Sequence, residues 1–445
     1  MRRALFDNRV ALGLLFVLLY VPFLVRSGTE LASQHHSDFP TFYFAARAAF
    51  KVHLSPYQQL FAGGFSPAGD QQHYVFPYLY PPPSLLLFYP YTWLGYETAK
   101  RVQLALSHVA LLAMLYIVAI GILRLQWRRR RDAVVLGLIV LATFLFTPLD
   151  VALRAGQTNV VGSLAVAAAW LGLSQRRDAG AGVSLALAGL LKTYPLLLGL
   201  VIVFQKRWRA LAWMAGSLAA VTAAAAATLP RSAWSDWWTR VLPNARFGHT
   251  PAGLGSVIGP WNQSVSGFTA RLFVPNEFCA ALVPSAALAR VAPYVIALAL
   301  LAVTGVAALR AMRHTSSEAN DTALADGSFT AGARTLALQV ATLLLVAFMV
   351  APISWEHHLV FVLPSVYVAL HSALRRGRGL VTAAAILAAT AILAAPFPIQ
   401  YDSYPGIAAW LQSGVATLLI SIKLFCVVGV WAILVRDLWS LGNEA

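Results

Sequence analysis

Acidic side chains are scarce in this chain, 17 among 445 residues against 33 lysines and arginines, so each one set among aromatic and basic neighbours is a candidate for chemistry. Asp38, in His35-His36-Ser37-Asp38-Phe39-Pro40, is the first. A carboxylate there, tuned by partial desolvation and nearby imidazoles, can act as general base toward a hydroxyl. The position also suits a solvated loop residue or the cap of a helix starting after Pro40. The second constellation is Ser354-Trp355-Glu356-His357-His358, whose carboxylate, imidazoles and indole suit a sugar or a phosphate. With His35 and His36 it invites a zinc reading. Adjacent residues on a helix point about 100° apart, however, and no HExxH spacing exists, so neither a metal nor a cofactor is expected.

Two further groups combine amides with cations. Arg154-Ala155-Gly156-Gln157-Thr158-Asn159 offers a guanidinium and two amides just before a helix begins, where backbone N–H groups hold anions and hydroxyls. A polar turn capped by Asn159 has the same sequence signature. Trp261-Asn262-Gln263-Ser264 is followed two helical turns later by Arg271, and Lys192 lies within Leu191-Lys192-Thr193-Tyr194-Pro195. Cations at membrane depth are costly without a counter-charge. Lys192, Arg154 and Arg271 therefore ask for an anion, which a lipid-linked phosphate or pyrophosphate supplies; pairing with Asp150 or Asp38 is the structural alternative. Gly253-x-Gly255-x-x-x-Gly259 lacks the spacing and strand-to-helix setting of a dinucleotide loop, and the Asn262-Gln263-Ser264 sequon carries no weight.

The elements that hold these groups are dictated by composition. The chain is 59% hydrophobic and 11% charged, so a bilayer must be its solvent. Apolar stretches of roughly 20 residues, enough to cross a hydrocarbon core of about 30 Å, recur along it. The spans expected are 10–26, 102–123, 133–148, 159–174, 210–228, 292–310, 335–351, 358–373, 379–395 and 411–435. The first is a retained span, because Arg26-Ser27-Gly28-Thr29 offers no small-x-small cleavage site. The net charge of +16 comes from short clusters between spans: Arg2 to Arg9, Arg124 to Arg131, Arg176-Arg177, Lys206 to Arg209, Arg310 to Arg334, Arg375 to Arg378, and Arg436. That pattern marks cytoplasmic connectors, not nucleic-acid binding. Cys279 and Cys426 support neither a disulfide framework nor a metal site.

Residues 178–204 lie between two basic clusters yet are too few for two crossings, which predicts two half-length helices meeting at Leu191 to Pro195, where proline breaks the helix. Irregular backbone at depth lines a polar cavity. The expected fold is an all-α polytopic membrane protein, one integral domain over 1–445 with about 12 segments and both termini cytoplasmic. Long outer loops span 27–101 and 229–291, shorter ones 149–158, 352–357 and 396–410, and 311–334 is a flexible cytoplasmic loop. Trp234, Trp237, Trp238 and Val241 recur at i, i+3, i+4, i+7, predicting an interfacial helix that anchors the protein or rims a lipid entry. Phe42, Ala45, Ala46, Ala49 and Phe50 predict a second.

Taken in order, Ser37-Asp38-Phe39 with Phe42-Tyr43, Tyr80-Pro81-Pro82-Pro83, Gly156-Gln157-Thr158-Asn159, Leu191-Lys192-Thr193-Tyr194-Pro195, Asn262-Gln263-Ser264 and Ser354-Trp355-Glu356-His357-His358 resemble glycosyltransferase family 87, nearly end to end. These are polyprenyl-phosphate-mannose-dependent mannosyltransferases of the GT-C superfamily. The resemblance implies a GT-C-like fold and transfer of a hexose, mannose, from a polyprenyl-phosphate donor to a lipid or glycan acceptor hydroxyl. Transfer would occur on the outer face with inversion. Asp38 then looks like the base. Lys192, Arg271, His357 and His358 would stabilise the leaving phosphate; Gln157, Asn159, Asn262, Gln263 and Glu356 would contact sugar or acceptor. Many GT-C enzymes show two neighbouring acidic residues in the first loop, whereas Asp38 follows His and Ser, which disfavours a metal-dependent variant. The partners implied are donor, acceptor and membrane lipids. A transporter or flippase of a lipid-linked or anionic solute would use the same broken helix, but such folds are commonly built from repeats and no internal repeat is visible. A structural envelope protein would leave Asp38 and the buried cations unexplained.

Overall fold

The computed structural model describes residues 8–33, 38–57, 76–247, 257–276, 278–315, 331–375, 379–396 and 416–441. His35, His36, Ser37, Gly253, Gly255 and most of 311–334 and 396–410 lie outside them. Regular structure among the described residues is helical, with one isolated antiparallel bridge between Asn262 and Trp355. Among the described residues seven helices are long and apolar enough to cross a membrane: Asn8–Thr29, Tyr96–Ile122, Trp208–Thr228, Ala286–Arg313, Gly332–Val350, Glu356–Arg375 and Ile422–Leu441. An eighth results if Arg130–Phe144 and Thr147–Arg154, bent by 49° to one another, count as one span. Pro148, which lacks an N–H and sits in the first turn of the second piece, accounts for the bend. Asn159–Ser174, Asp178–Leu191, Tyr194–Phe204 and Gly379–Ala394 are apolar but shorter. The chain is a multi-pass membrane protein. Residues 149–154, expected in a loop, continue as buried and half-buried helix.

Basic connectors gather at one end of the bundle. The Arg9 guanidinium lies 5.4 Å over the Trp127 ring, Arg375 pairs with Asp132 at 3.1 Å, and Arg310 covers Trp439 at 4.9 Å. Arg207, just beyond one half-helix, donates to Asp178 at the start of the other across 2.8 Å, so residues 178–204 leave and return to the same end. The first half, Asp178–Leu191, has 14 residues. At 1.5 Å per residue it rises about 21 Å, short of the roughly 30 Å hydrocarbon thickness. Lys192 follows it, at the end of the half-helix away from the Asp178–Arg207 pair. The return is tight, because a Cβ at Gly189 would lie 2.3 Å from Leu196 Cδ2.

Buried apolar side chains form two clusters. The larger fills the bundle around Trp170, Phe348, Phe361 and Tyr367. The smaller joins residues 39–57 and 78–99 to Leu191, Leu229 and Val241. In it Phe42 stacks on Phe88 at 4.7 Å and Phe44 on Tyr96 at 5.4 Å, geometry that favours aromatic pairs. Phe39 to Ala46 are all buried, so the apolar face of that helix packs inward against protein. The tryptophan stripe is divided: Trp234 and Trp237 pack on this cluster and Val241 is buried, while Trp238 is 58% exposed. Periodicity reveals an apolar face but not what covers it.

Candidate active site

A cavity of about 500 Å³ forms where six parts of the chain converge: residues 38–42, 76–81, Gln157, the helix break at 192–194, residues 237–245, and 351–358. Its polar wall carries Asp38, Tyr80, Gln157, Lys192, His357 and His358. Trp237, Val241, Leu242, Pro352 and Ile353 supply apolar lining.

Asp38 stands immediately before the helix Phe39–Arg47, with Pro40 in the first turn as helix starts favour. Its side chain makes no cap. Instead Oδ2 accepts from Gln157 Nε2 at 2.5 Å. The register between these distant segments is set by Gly156 at φ +66°, where a Cβ would lie 2.7 Å from Phe39 Cβ. Phe39 N–H donates to Ala155 O at 2.9 Å alongside. Only glycine combines that φ with such an approach. Burial raises the Asp38 carboxyl above its ordinary pKa, opposed by the Gln157 hydrogen bond and the Lys192 charge.

Lys192 ends the first half-helix in extended backbone, φ −150° and ψ 130°. Its ammonium donates to Tyr80 Oη at 2.5 Å, lies 4.8 Å from the Tyr80 ring centre, and is 3.0 Å from His358 Nε2. Asn159 Nδ2 donates to the carbonyl of His357 at 2.8 Å, fixing the segment that carries both histidines. Glu356 is absent from the cavity wall; it pairs with the fully buried Lys423, which also donates to Ala395 O at 2.5 Å.

Of the expected phosphate-binding groups, Lys192, His357 and His358 therefore meet, and Arg271 does not join them. The Arg271 guanidinium is 0% exposed and donates to the carbonyls of Ile258, Gly259 and Asn262 and to Ser421 Oγ, at 2.8–3.0 Å. It ties a loop to the turn that precedes the last helix, Ile422–Leu441. Of the expected sugar or acceptor contacts only Gln157 reaches the cavity. Asn262 is taken up by Val257 O, Ser264 N and Ser354 N, and Gln263 by Pro260 O, Ile420 O and Leu424 N. Buried amides satisfy backbone first, since an unpaired polar group is costly. Arg154 pairs with Asp150 at 3.2 Å, the structural alternative. Among the described residues no three His, Cys, Asp or Glu side chains gather to hold a metal.

Tyr80 and Lys423 were not singled out by residue type. Tyr80 stands in a tyrosine- and proline-rich stretch that only the resemblance marked. The signal for Lys423 was its charge inside an apolar run, with Glu356 in another as the available counter-charge.

The arrangement sets a carboxylate acceptor and an ammonium–phenol–imidazole group around one cavity, which suits accepting a proton at one place and stabilising negative charge at another. A family model described as glycosyltransferase family 87 matches residues 78–337. The match spans more than half the chain and includes Tyr80, Gln157 and Lys192, with Asp38 and the histidines outside it. Two curated relatives share similarity: one from Mycobacterium tuberculosis, 27% identical over 300 residues (66% of this chain, 61% of the relative), and one from Mycolicibacterium smegmatis, 28% identical over 315 residues (67% and 63%). Both are named polyprenol-phosphate-mannose-dependent alpha-(1-2)-phosphatidylinositol mannoside mannosyltransferases. The matched region spans less than two thirds of the length of either relative. The chain belongs to glycosyltransferase family 87.

Proposed function

We propose that this member of glycosyltransferase family 87 is a membrane glycosyltransferase that moves mannose from a polyprenyl-phosphate donor to a hydroxyl of a lipid or glycan acceptor, with inversion. The observation that carries the reading is the placement of Asp38 and Lys192 on the wall of one cavity, each held by its own partner, Gln157 and Tyr80. The relatives' names support the donor and an acceptor of the phosphatidylinositol mannoside class.

In the proposed step an acceptor oxygen attacks the anomeric carbon and gives its proton to Asp38. The bond from that carbon to the phosphate oxygen breaks, and the electron pair leaves on polyprenyl phosphate. That leaving group needs cations rather than an acid, and Lys192 with the neighbouring His357 and His358 supplies a pre-set polar clamp. Gln157 orients the base. The basic connectors collect at the opposite end of the bundle, which supports a site on the outer face with cytoplasmic termini. The apolar lining suits the isoprenoid chain.

The test is product analysis with purified full-length chain, a panel of polyprenyl-phosphate sugars, and octyl α-mannoside or phosphatidylinositol mannoside as acceptor. An α-mannosidic product from the mannosyl donor, lost in Asp38→Asn, is expected. Absence of transfer from every donor, or turnover unchanged in Asp38→Asn, rejects it. Solute flux into sealed vesicles that survives Asp38→Asn but fails in Lys192→Ala would instead support a transporter.

A further inference from the structure

We infer that Tyr80 is a catalytic residue of this site, its hydroxyl donating, beside Lys192, to the phosphate oxygens of the lipid ligand. The inference rests on the glycosyl-transfer reading for its catalytic part, while its phosphate-binding part stands on geometry alone.

A phenol has one O–H to donate and lone pairs to accept with, and an ammonium has three N–H bonds and no lone pair. Burial lowers the Lys192 pKa to about 7, and an anionic phosphate beside it favours the ammonium; in that form the contact between Lys192 Nζ and Tyr80 Oη has one sense, the ammonium donating and the phenol accepting. Tyr80 keeps its own O–H. Among the described residues nothing accepts that proton, although the residue lines the cavity. Lys192 uses one N–H on Tyr80 and at most one on His358 Nε2, so at least one remains whichever ring nitrogen of His358 is protonated. Two donors on adjacent heavy atoms 2.5 Å apart thus face a shared volume. That arrangement matches two oxygens of a single phosphate group.

The hydroxyl is held in place by its ring and backbone. The Tyr80 ring packs 5.4 Å from both Phe42 and Tyr78, and its carbonyl accepts from Tyr57 Oη at 2.6 Å. Lys192 Nζ lies 2.5 Å from Oη and 4.8 Å from the ring centre, so it sits beyond the hydroxyl end of the ring and contacts the hydroxyl rather than the ring face. The Tyr80→Phe substitution keeps the ring and its packing while removing the hydroxyl. A donor that gains strength as charge collects on the leaving phosphate contributes more to the transition state than to the ground state.

The experiment compares detergent-solubilised full-length protein and Tyr80→Phe for binding of a polyprenyl monophosphate and of the polyprenol of the same length, alongside mannosyl transfer. Loss of a hydrogen bond to a charged oxygen predicts affinity for the phosphate reduced about tenfold or more, polyprenol binding unchanged within about twofold, and kcat lowered more than KM rises. Thermal unfolding should stay close to that of the unmodified protein. Equal losses for phosphate and alcohol, no loss for either, or kcat unchanged within about twofold in the presence of transfer overturns the assignment. If the unmodified protein shows the phosphate-selective, Tyr80-dependent binding but transfers no sugar, the glycosyl-transfer reading and Tyr80's catalytic role fail, and the phosphate subsite stands.

Discussion

Gln157 and Asp38, 119 residues apart in the chain, are joined by a 2.5 Å hydrogen bond from a turn that is locked against Phe39. The neighbouring Phe39 N–H to Ala155 O bond makes that contact one of backbone against backbone. The proposed base is therefore positioned by chain geometry and not by its own side-chain freedom.

Gly156→Ala should disturb this register. The residue sits at φ +66°, and its new methyl would meet Phe39 Cβ at 2.7 Å. A cost of about 1–3 kcal/mol is expected from the strained backbone and the clash. Thermal unfolding in detergent reads the cost, and transfer by the folded fraction should fall by at least about tenfold because Asp38 moves from its partner. Full activity at full stability would show that the turn does not set the site.

The pH dependence follows from Asp38. Burial raises its pKa, and a general base must be deprotonated to work, so activity rises with pH through that pKa. The acid limb of kcat/KM should lie above the ordinary aspartate value of about 3.9. Gln157 lowers the pKa by bonding to the carboxylate, so Gln157→Leu should move the limb to higher pH. A limb that stays put, or moves down, in that variant rejects Gln157 as the partner of a titrating base.

Sequence reasoning reached the broken helix because Pro195, Lys192 and two flanking basic clusters are local signals of a reversal at depth. It reached Asp38 through the scarcity of acidic groups, and His357-His358 through their place with Trp355 and Glu356 between two apolar spans. It could not separate cavity residues from polar ties: Asn262, Gln263 and Arg271 have the residue types of a ligand site, yet their partners are backbone atoms and a serine hydroxyl. Which acceptor a buried amide finds is decided by tertiary packing. The tryptophan stripe shows the same limit, since helical period fixes a face while the fold decides its neighbours: Trp234 and Trp237 pack on the smaller cluster and Trp238 is exposed.

Arg271 and Lys192 should consequently behave differently on substitution. Lys192→Met removes the ammonium from the cavity, and turnover is expected to drop about 100-fold or more. Arg271→Lys loses a fork that reaches three carbonyls and a hydroxyl, which a point charge cannot replace. Its unfolding temperature should fall while donor KM of the folded protein stays within about twofold of the original. A large KM change at full stability in Arg271→Lys would return that residue to the phosphate site.

The buried pair of Glu356 and Lys423 supplies a last test, because it adjoins the histidines without entering the cavity. Lys423 is fully buried and Glu356 nearly so. Removing one partner leaves an uncompensated charge, at a cost of about 3–5 kcal/mol, whereas replacing both with neutral groups of similar size is often close to neutral. Lys423→Met should therefore unfold at markedly lower temperature, and the double variant Glu356→Gln/Lys423→Met should recover most of that loss. Because Glu356 directly precedes His357, the single variant should also raise donor KM, and recovery of KM in the double variant would show that the pair positions the histidines by avoiding a lone charge. Stability recovered without KM would mean that the ionic contact itself holds their register.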